Sequence, residues 1–365
     1  MKRLLFLIIF CITNLHAINK LEKIYLHKTP LEHEAHLELA KLVFCFSDEP
    51  NIKQISSLVE KDGFRHESYM ISTDEIDNAC RGRLKSLEHE VHPYYRLVCS
   101  EQQAPQAGIK IDLYYDPKQV TCSFDEFDAI TNHKGVVFRL INKNLIDQLS
   151  LQERPPIHVA SLARPSIVID CAHGGRDPGA ISSNGVFEKD ITLQVGLTLA
   201  QLLKTENYDA YVTRDNDFSI ALDNRTSFIN QIRPDLYLSI HANSSKKKDV
   251  HGLQTFCLDD HLFRHNNIID PFQRAIKRVY DRSNQFAHVV HQHILSHMYK
   301  EGHQLFDGKV RHAVAQLLLG TNIPGVLIEL GFLSHPEESL CLASSQYQKK
   351  IAQGICNGIR AYFAL

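Results

Sequence analysis

The sequence predicts an α/β catalytic domain, a mostly parallel sheet flanked by helices, behind a separate α+β or β-rich amino-terminal module. Three observations carry this. From Ser166 onward short apolar runs alternate with stretches of helical periodicity, the pattern of a sheet covered by helices. Residues 151–165 hold Pro155, Pro156 and Pro165 with little periodicity, which reads as a linker. Residues 18–150 mix helix and strand signals without that alternation.

The first seventeen residues, MKRLLFLIIFCITNLHA, combine Lys2 and Arg3, an apolar run from Leu4 to Ile12 and a small Ala17. That is the form of a secretory signal peptide, too short in its apolar part to be a permanent transmembrane helix. The expectation is an exported protein of the periplasm or cell envelope. Removing Lys2 and Arg3 takes the formal charge from −2 to about −4. With so little net charge no global basic field points to nucleic acid, and none is expected as a partner. Eight of the nine cysteines remain after Cys11, none in a CxxC pair, so a cysteine zinc site is not expected and disulfide pairing stays open.

In the amino-terminal module, Thr29-Pro30-Leu31-Glu32 reads as a helix start and LVFCF at 42–46 as a strand. Helix signals cover Ile52 to Glu60 and again Ser72 to Leu87, where Ser72 and Glu75 have capping-box spacing. YYRLVC, IKIDLYY and GVVFRLI are strand-like. In the second domain the strands expected are IVID, DAYVT, DLYLSI, LQTFCL and GVLIEL, with helices over 188–204, 283–299 and 345–362.

The chemistry gathers at strand ends. Ile167-Val168-Ile169 delivers Asp170 and His173 into a glycine-rich loop, and Glu188 opens the next helix. SIHAN sets His241 after an apolar strand, LIELGF sets Glu329 at the end of another, and Arg214 ends a third. In open α/β sheets ligands bind at the carboxyl ends of strands, so these residues converge there. Two imidazoles and a carboxylate with a position left for water make a catalytic zinc site, and a further carboxylate nearby serves as general base. His173, Glu188 and His241 are the ligand candidates, and Glu329 the base. Each alone has a plainer account. A lone His at a strand end is usually a hydrogen-bonded structural residue, and Glu188 alone suits the first turn of a helix.

The segments DCAHGGRDPGA, GVFEKDITL, TRDND with Arg225 downstream, DLYLSIHANSS and IPGVLIELGFLSHPEE resemble, in this order, the motifs of zinc-dependent N-acetylmuramoyl-L-alanine amidases of the amidase-3 type. The resemblance covers Ser166 to Leu365. It implies an α/β sandwich, one zinc ion per chain held by His173, Glu188 and His241, and a catalytic carboxylate at Glu329. It also implies peptidoglycan as substrate, cut at the amide between the lactyl group and the first L-Ala of the stem peptide. Exported amidases carry an envelope-targeting β-domain where residues 18–150 stand; the resemblance there is loose, and the helix signals count against it. That module is the expected contact for an envelope or division protein. The chain departs from the family at Cys171-Ala172, where Pro-Gly is usual, and at His335, where Asn is common. Cys171 reads as a buried small hydrophobe.

Two other classes compete. Ser244-Ser245-Lys246-Lys247-Lys248 contains Ser-x-x-Lys twice and Ser182-Ser183-Asn184 fits Ser-x-Asn, elements of serine penicillin-binding carboxypeptidases, but the Lys-Thr-Gly partner is absent. The lysine run otherwise reads as a solvated loop facing anionic glycan or peptide carboxylates. A non-catalytic peptidoglycan-binding protein would be expected to lack a ligand or Glu329, and this chain has all four.

Overall fold

The computed structural model describes residues 20–28, 38–47, 51–60, 63–87, 90–92, 95–103, 107–128, 134–142, 164–258, 271–313 and 315–365. The signal-peptide stretch, the helix start at Thr29 and nearly all of the linker lie outside them.

The amino-terminal part forms β1 (Lys20–Lys28), β2 (Glu38–Phe46), β3 (Asn51–Val59), β4 (Arg65–Ser72), β5 (Glu75–Ile76), α1 (Asn78–Ser86), β6 (Glu90–His92), β7 (Tyr95–Gln102), β8 (Gly108–Tyr115), β9 (Val120–Asp128) and β10 (Lys134–Asn142). Two five-stranded sheets result, ordered β5-β1-β2-β10-β9 and β3-β4-β8-β7-β6, antiparallel throughout except where β5 joins β1. Leu42, Phe44 and Phe138 from one sheet share a core with Tyr69, Leu97 and Ile111 from the other. The alternation of buried side chains along β7 is what a sheet with one covered face requires.

Two expectations fail here. Where a helix is expected over residues 52–60, the chain forms strand β3 (Asn51–Val59). Ile52, Ile55 and Leu58 have helical spacing, but Ile55 and Leu58 are exposed on an edge strand paired to β4, so no helical face is buried. The second helix starts at Asn78 rather than near Ser72. Ser72 ends β4, Glu75 and Ile76 pair with β1, and Asp77 caps α1 by accepting from the Ala79 N–H at 2.7 Å.

The carboxy-terminal part comprises β11 (Ser166–Cys171), α2 (Glu188–Thr205), β12 (Asp209–Val212), α3 (Leu222–Ile232), β13 (Leu236–Asn243), β14 (Leu253–Cys257), α4 (Pro271–Lys300), β15 (Asp307–His312), α5 (Gln316–Gly320), β16 (Gly325–Phe332), α6 (Pro336–Ala343) and α7 (Ser345–Phe363). The sheet runs β12-β11-β13-β16-β14-β15. All pairs are parallel except β14 with β16. Strands β11, β13 and β16 are near-continuous apolar runs because helices cover both faces. On one face α2 lays down Ile191, Val195, Leu199 and Leu203, four apart or nearly so, with Val290 and Ile294 of α4 and Ile351 and Ile355 of α7. On the other, Ile229 of α3 and Leu317 to Leu319 of α5 cover Val168, Tyr237 and Leu327. All five expected strands are present; β15 and the short α3, α5 and α6 are additions, being too brief or too polar to show periodicity. Among the described residues no helix is long and apolar enough to cross a membrane.

Cys99, Cys171, Cys341 and Cys356 are free thiols. Cys171 is wholly buried against α2, where a Cβ on Gly196 would overlap its sulfur. Gly196→Ala is therefore expected to destabilise the sheet domain by about 1–3 kcal/mol through overpacking, although Ala is the better helix former by about 1 kcal/mol. In a Cys171→Ala background the same change should become neutral or stabilising. Hydrogen exchange of the α2 amides across a urea series reads both, and a loss of equal size in the two backgrounds would rule out the steric cause.

Candidate metal centre

Parallel pairing sets the carboxyl ends of β11, β13 and β16 side by side, with Asp170 opposite Ser239 and His241 opposite Glu329. Asp170 is not at the mouth of the site but beneath it. Its carboxylate, 2% exposed, takes Arg225 Nη1 at 2.7 Å and the hydroxyls of Ser239 at 2.7 Å and Thr213 at 2.8 Å. Arg225 also donates to the carbonyls of Cys171 and His173, each at 2.6 Å. Arg214, equally buried, donates to the carbonyls of Cys171 and Ala172 at 3.0 Å and of Lys189 at 2.6 Å. Two guanidinium forks thus absorb the carbonyls of a chain leaving its sheet, where a buried unpaired carbonyl would cost free energy.

The chain held this way carries His173 at φ 60°, a left-handed conformation uncommon outside glycine. Its imidazole turns back over the sheet towards Glu188, the first residue of α2. His173 Nε2 lies 3.2 Å and His241 Nδ1 3.0 Å from the same Glu188 oxygen, Oε1. One donor atom from each of the three lies within 4.8 Å of the others. The Ala242 N–H donates to Oε1 at 3.0 Å and the Ala180 N–H to Oε2 at 2.8 Å, fixing the carboxylate. Gly179, at φ +66°, passes so close that a Cβ there would sit 2.5 Å from Glu188 Oε2 and 2.6 Å from the His173 ring.

Asp177 completes the orientation. Its Oδ2 is 2.7 Å from His173 Nδ1, so that nitrogen carries the proton and Nε2 keeps its lone pair for the cluster. Its Oδ1 accepts from the Gly179 N–H at 3.1 Å. Sequence reading missed this residue, although its spacing of four from His173 within HGGRD was visible.

Charge tells the same story. Burial works to lower the His173 pKa, but the Glu188 and Asp177 carboxylates outweigh it and hold the group up at about 9. His241 is likewise raised, burial opposing and Glu188 prevailing. Burial opposes ionisation of Glu188, yet the two imidazoles pull it well below the usual carboxylate range. Two imidazoles drawn to one shared carboxylate form a donor set that a divalent cation can satisfy. Two nitrogens and one carboxylate oxygen, with the remaining side open, match a catalytic rather than a closed structural metal site.

Glu329 faces His241 across the β13–β16 pair. Its Oε2 is buried without a hydrogen-bond partner. Burial pushes its carboxyl up to about 7, with Glu188 adding to the rise and the histidines opposing it. A carboxyl with one buried, unpartnered oxygen beside a cluster of metal-type donors is suited to carry a proton. All four residues expected from sequence therefore come together.

The serine elements do not form a comparable group. The Ser245 Oγ accepts from the Lys247 N–H at 3.2 Å and the Ser244 N–H donates to Asn243 Oδ1 at 2.7 Å, the bonds of a turn. Among the described residues no lysine Nζ bonds to either hydroxyl. His335 is the N-cap of α6, its Nδ1 accepting from the Glu338 N–H at 3.3 Å.

The model of the N-acetylmuramoyl-L-alanine amidase (Amidase_3) family matches residues 167–361. A protein of Haemophilus influenzae named probable N-acetylmuramoyl-L-alanine amidase AmiB is 33% identical over 224 residues, 54% of this chain and 52% of that protein. The chain thus spans about half the length of that relative. N-acetylmuramoyl-L-alanine amidase AmiA of Salmonella typhimurium is 30% identical over 221 residues, 54% of this chain and 75% of its own. Among solved structures, N-acetylmuramoyl-L-alanine amidase AmiC2 of Nostoc punctiforme aligns at a TM-score of 0.47 and 29% identity, over 55% of this chain and 98% of that one.

The Asp177 contact sets the tautomer of His173 and so the affinity of the cluster. Asp177→Ala is expected to weaken metal binding by roughly 10–100-fold, the usual cost of losing such a partner. Competition with a chelating dye measures it on the full chain. Unchanged affinity would show that Asp177 does not orient the ring.

Proposed function

The chain belongs to the N-acetylmuramoyl-L-alanine amidase (Amidase_3) family, and we propose that it is an exported zinc enzyme that hydrolyses peptidoglycan. The bond cut is the amide between the lactyl group of N-acetylmuramic acid and the first L-Ala of the stem peptide. The observation that carries the reading is the buried, unpartnered Oε2 of Glu329, which stands opposite His241 of the His173, Glu188 and His241 cluster.

In this reading His173 Nε2, His241 Nδ1 and a Glu188 oxygen hold one zinc ion. Zinc there supplies a Lewis acid that polarises the amide carbonyl and favours ionisation of a water. The chain's own residues do the rest. Asp177 keeps the His173 ring turned, and the Ala242 and Ala180 N–H groups keep the Glu188 oxygens in place. Glu329 takes a proton from the attacking water and passes it to the departing nitrogen, a transfer that its raised pKa favours in both directions. As bond breaking proceeds the amine leaves protonated and the lactyl carboxylate remains on the glycan.

Residues 166–365 are read as the catalytic unit and 18–150 as a module that meets an envelope or division protein. Two separate hydrophobic cores support this division. Two of the three helix signals that counted against a β-domain are strand β3 and a helix of only nine residues, so the module's two sheets support an envelope-targeting role. The sequence's signal-peptide pattern supports export to the periplasm or envelope.

Glu329→Gln keeps the side chain's size and removes its basicity. Zinc content should stay at one per chain while amide cleavage falls by roughly 10²–10⁴-fold, the contribution of general acid–base catalysis. His241→Ala should lose both. Mass spectrometry of digested peptidoglycan, beside metal analysis of the same samples, separates the roles. Free stem peptides beginning at L-Ala identify the amidase; release of terminal D-Ala alone would replace this reading with a carboxypeptidase.

A further inference from the structure

A pocket of about 890 Å³ opens at the heads of β14 and β15, at the sheet edge that also carries the metal donors, although none of those donors lines it. It lies there because β14 runs against β16, Gln254 standing opposite Glu329, so the amino end of β14 is brought to the carboxyl end of β16. Strand β15 follows β14 in parallel, with the Leu253 N–H donating to the Phe306 carbonyl at 3.0 Å. His251, Phe306 and Lys309 therefore meet His335 from the start of α6. The His251 ring packs against Phe306 and His335, 4.9 Å from each, and its Nδ1 is tied to the Asp249 carbonyl at 2.7 Å.

The pocket's carboxylates are largely committed to the fold. Glu338 accepts the Gly252 and Phe332 N–H groups at 2.8 and 2.7 Å, and Asp307 accepts from His291 and Lys309. Glu337 stands exposed at the rim. The loop from β13 to His251 carries the exposed Lys246, Lys247 and Lys248 outside the pocket's lining. Imidazole and ammonium groups around an aromatic floor fit a short peptide bearing free carboxylates, while Glu337 faces any amine that it carries.

Order across the sheet gives this pocket its direction. The metal donors sit on β11, α2 and β13; Glu329 is next on β16; the pocket is beyond, at β14 and β15. A carboxyl that protonates a leaving nitrogen must lie on the nitrogen's side of the scissile bond. The chain attached to that nitrogen then continues over β16 and away from the donors. On the opposite flank the loops carrying His173 and following β12 expose Ile181, Phe187 and Phe218, with Arg176 exposed among them and the Lys189 ammonium over the Phe187 ring. Resting on the amidase reading, we propose that the pocket at the heads of β14 and β15 is the stem-peptide subsite, and that the glycan leaves over the β11–β12 flank. His251 and Lys309 are its specificity-determining contacts.

The test uses the zinc-loaded full chain and two substrates, a muramoyl tetrapeptide and a muramoyl dipeptide. For His251→Ala the ratio of kcat/KM for the longer substrate over the shorter should fall about tenfold, the worth of one charge-assisted contact, with zinc content held. Lys309→Asn, which tolerates the left-handed backbone at φ 74°, should lower the same ratio. Calorimetry with the free tetrapeptide should show weaker binding to both variants. A ratio that stays constant, or a loss that instead follows glycan length, would overturn the subsite while leaving the amidase intact. Tetrapeptide binding that depends on His251 in a wild-type protein that cleaves neither substrate would keep the pocket and remove the amidase.

Discussion

The site depends on the buried pair between Asp170 and Arg225. A carboxylate that far from water is tolerated because a guanidinium and two hydroxyls fill its hydrogen-bonding positions. The guanidinium also donates to the carbonyls of Cys171, His173 and Ile220. The ion pair is therefore an anchor by which β11 dictates where the next loop must go. It makes a left-handed His173 sustainable, since strain of about 1–3 kcal/mol persists only where surroundings over-determine it. Losing one partner of such a pair costs about 3–5 kcal/mol, comparable to a large share of a domain's stability.

This anchoring explains which parts of the site could be read from the chain. His173, His241 and Glu329 were legible because each follows an apolar run at a strand end, and topology alone brings such ends together. Glu188 was legible as a helix start. Asp170 was placed correctly on its strand but not in its role, because sequence spacing does not say whether a carboxylate points up into a site or down towards an arginine 55 residues away. Asp177 lay in plain view within a glycine-rich loop, where backbone turns rather than periodicity decide which side chains meet.

The same distinction separates the two halves of the fold. Strands buried on both faces, such as IVID and GVLIEL, announce themselves by composition, and helices α2 and α7 by an apolar stripe. In the amino-terminal sheets the informative pattern is alternation, and β3 lacks it. Its apolar residues fall three apart and stay exposed, so local periodicity favoured a helix while pairing with β4 decided for a strand. The start of α1 was misplaced for a related reason: Glu75 and Ile76 are claimed by β1, a partner more than fifty residues earlier in the chain.

One reversed strand shapes what the site can hold. Had β14 run parallel to β16, its amino end and that of β15 would lie at the opposite edge, and the mouth of the site beyond Glu329 would be formed by strand ends alone. Running antiparallel, β14 instead carries the polar loop from His241 back to the carboxyl edge and delivers His251 and Gly252 beside Phe332. Glu338 fastens the two together by accepting both backbone N–H groups, so the pocket wall and the strand bearing Glu329 form one hydrogen-bonded unit. The proton-carrying group and the surface that receives the leaving chain are thereby fixed to each other. Placement of that kind is what allows binding energy far from the scissile bond to act on the geometry at it.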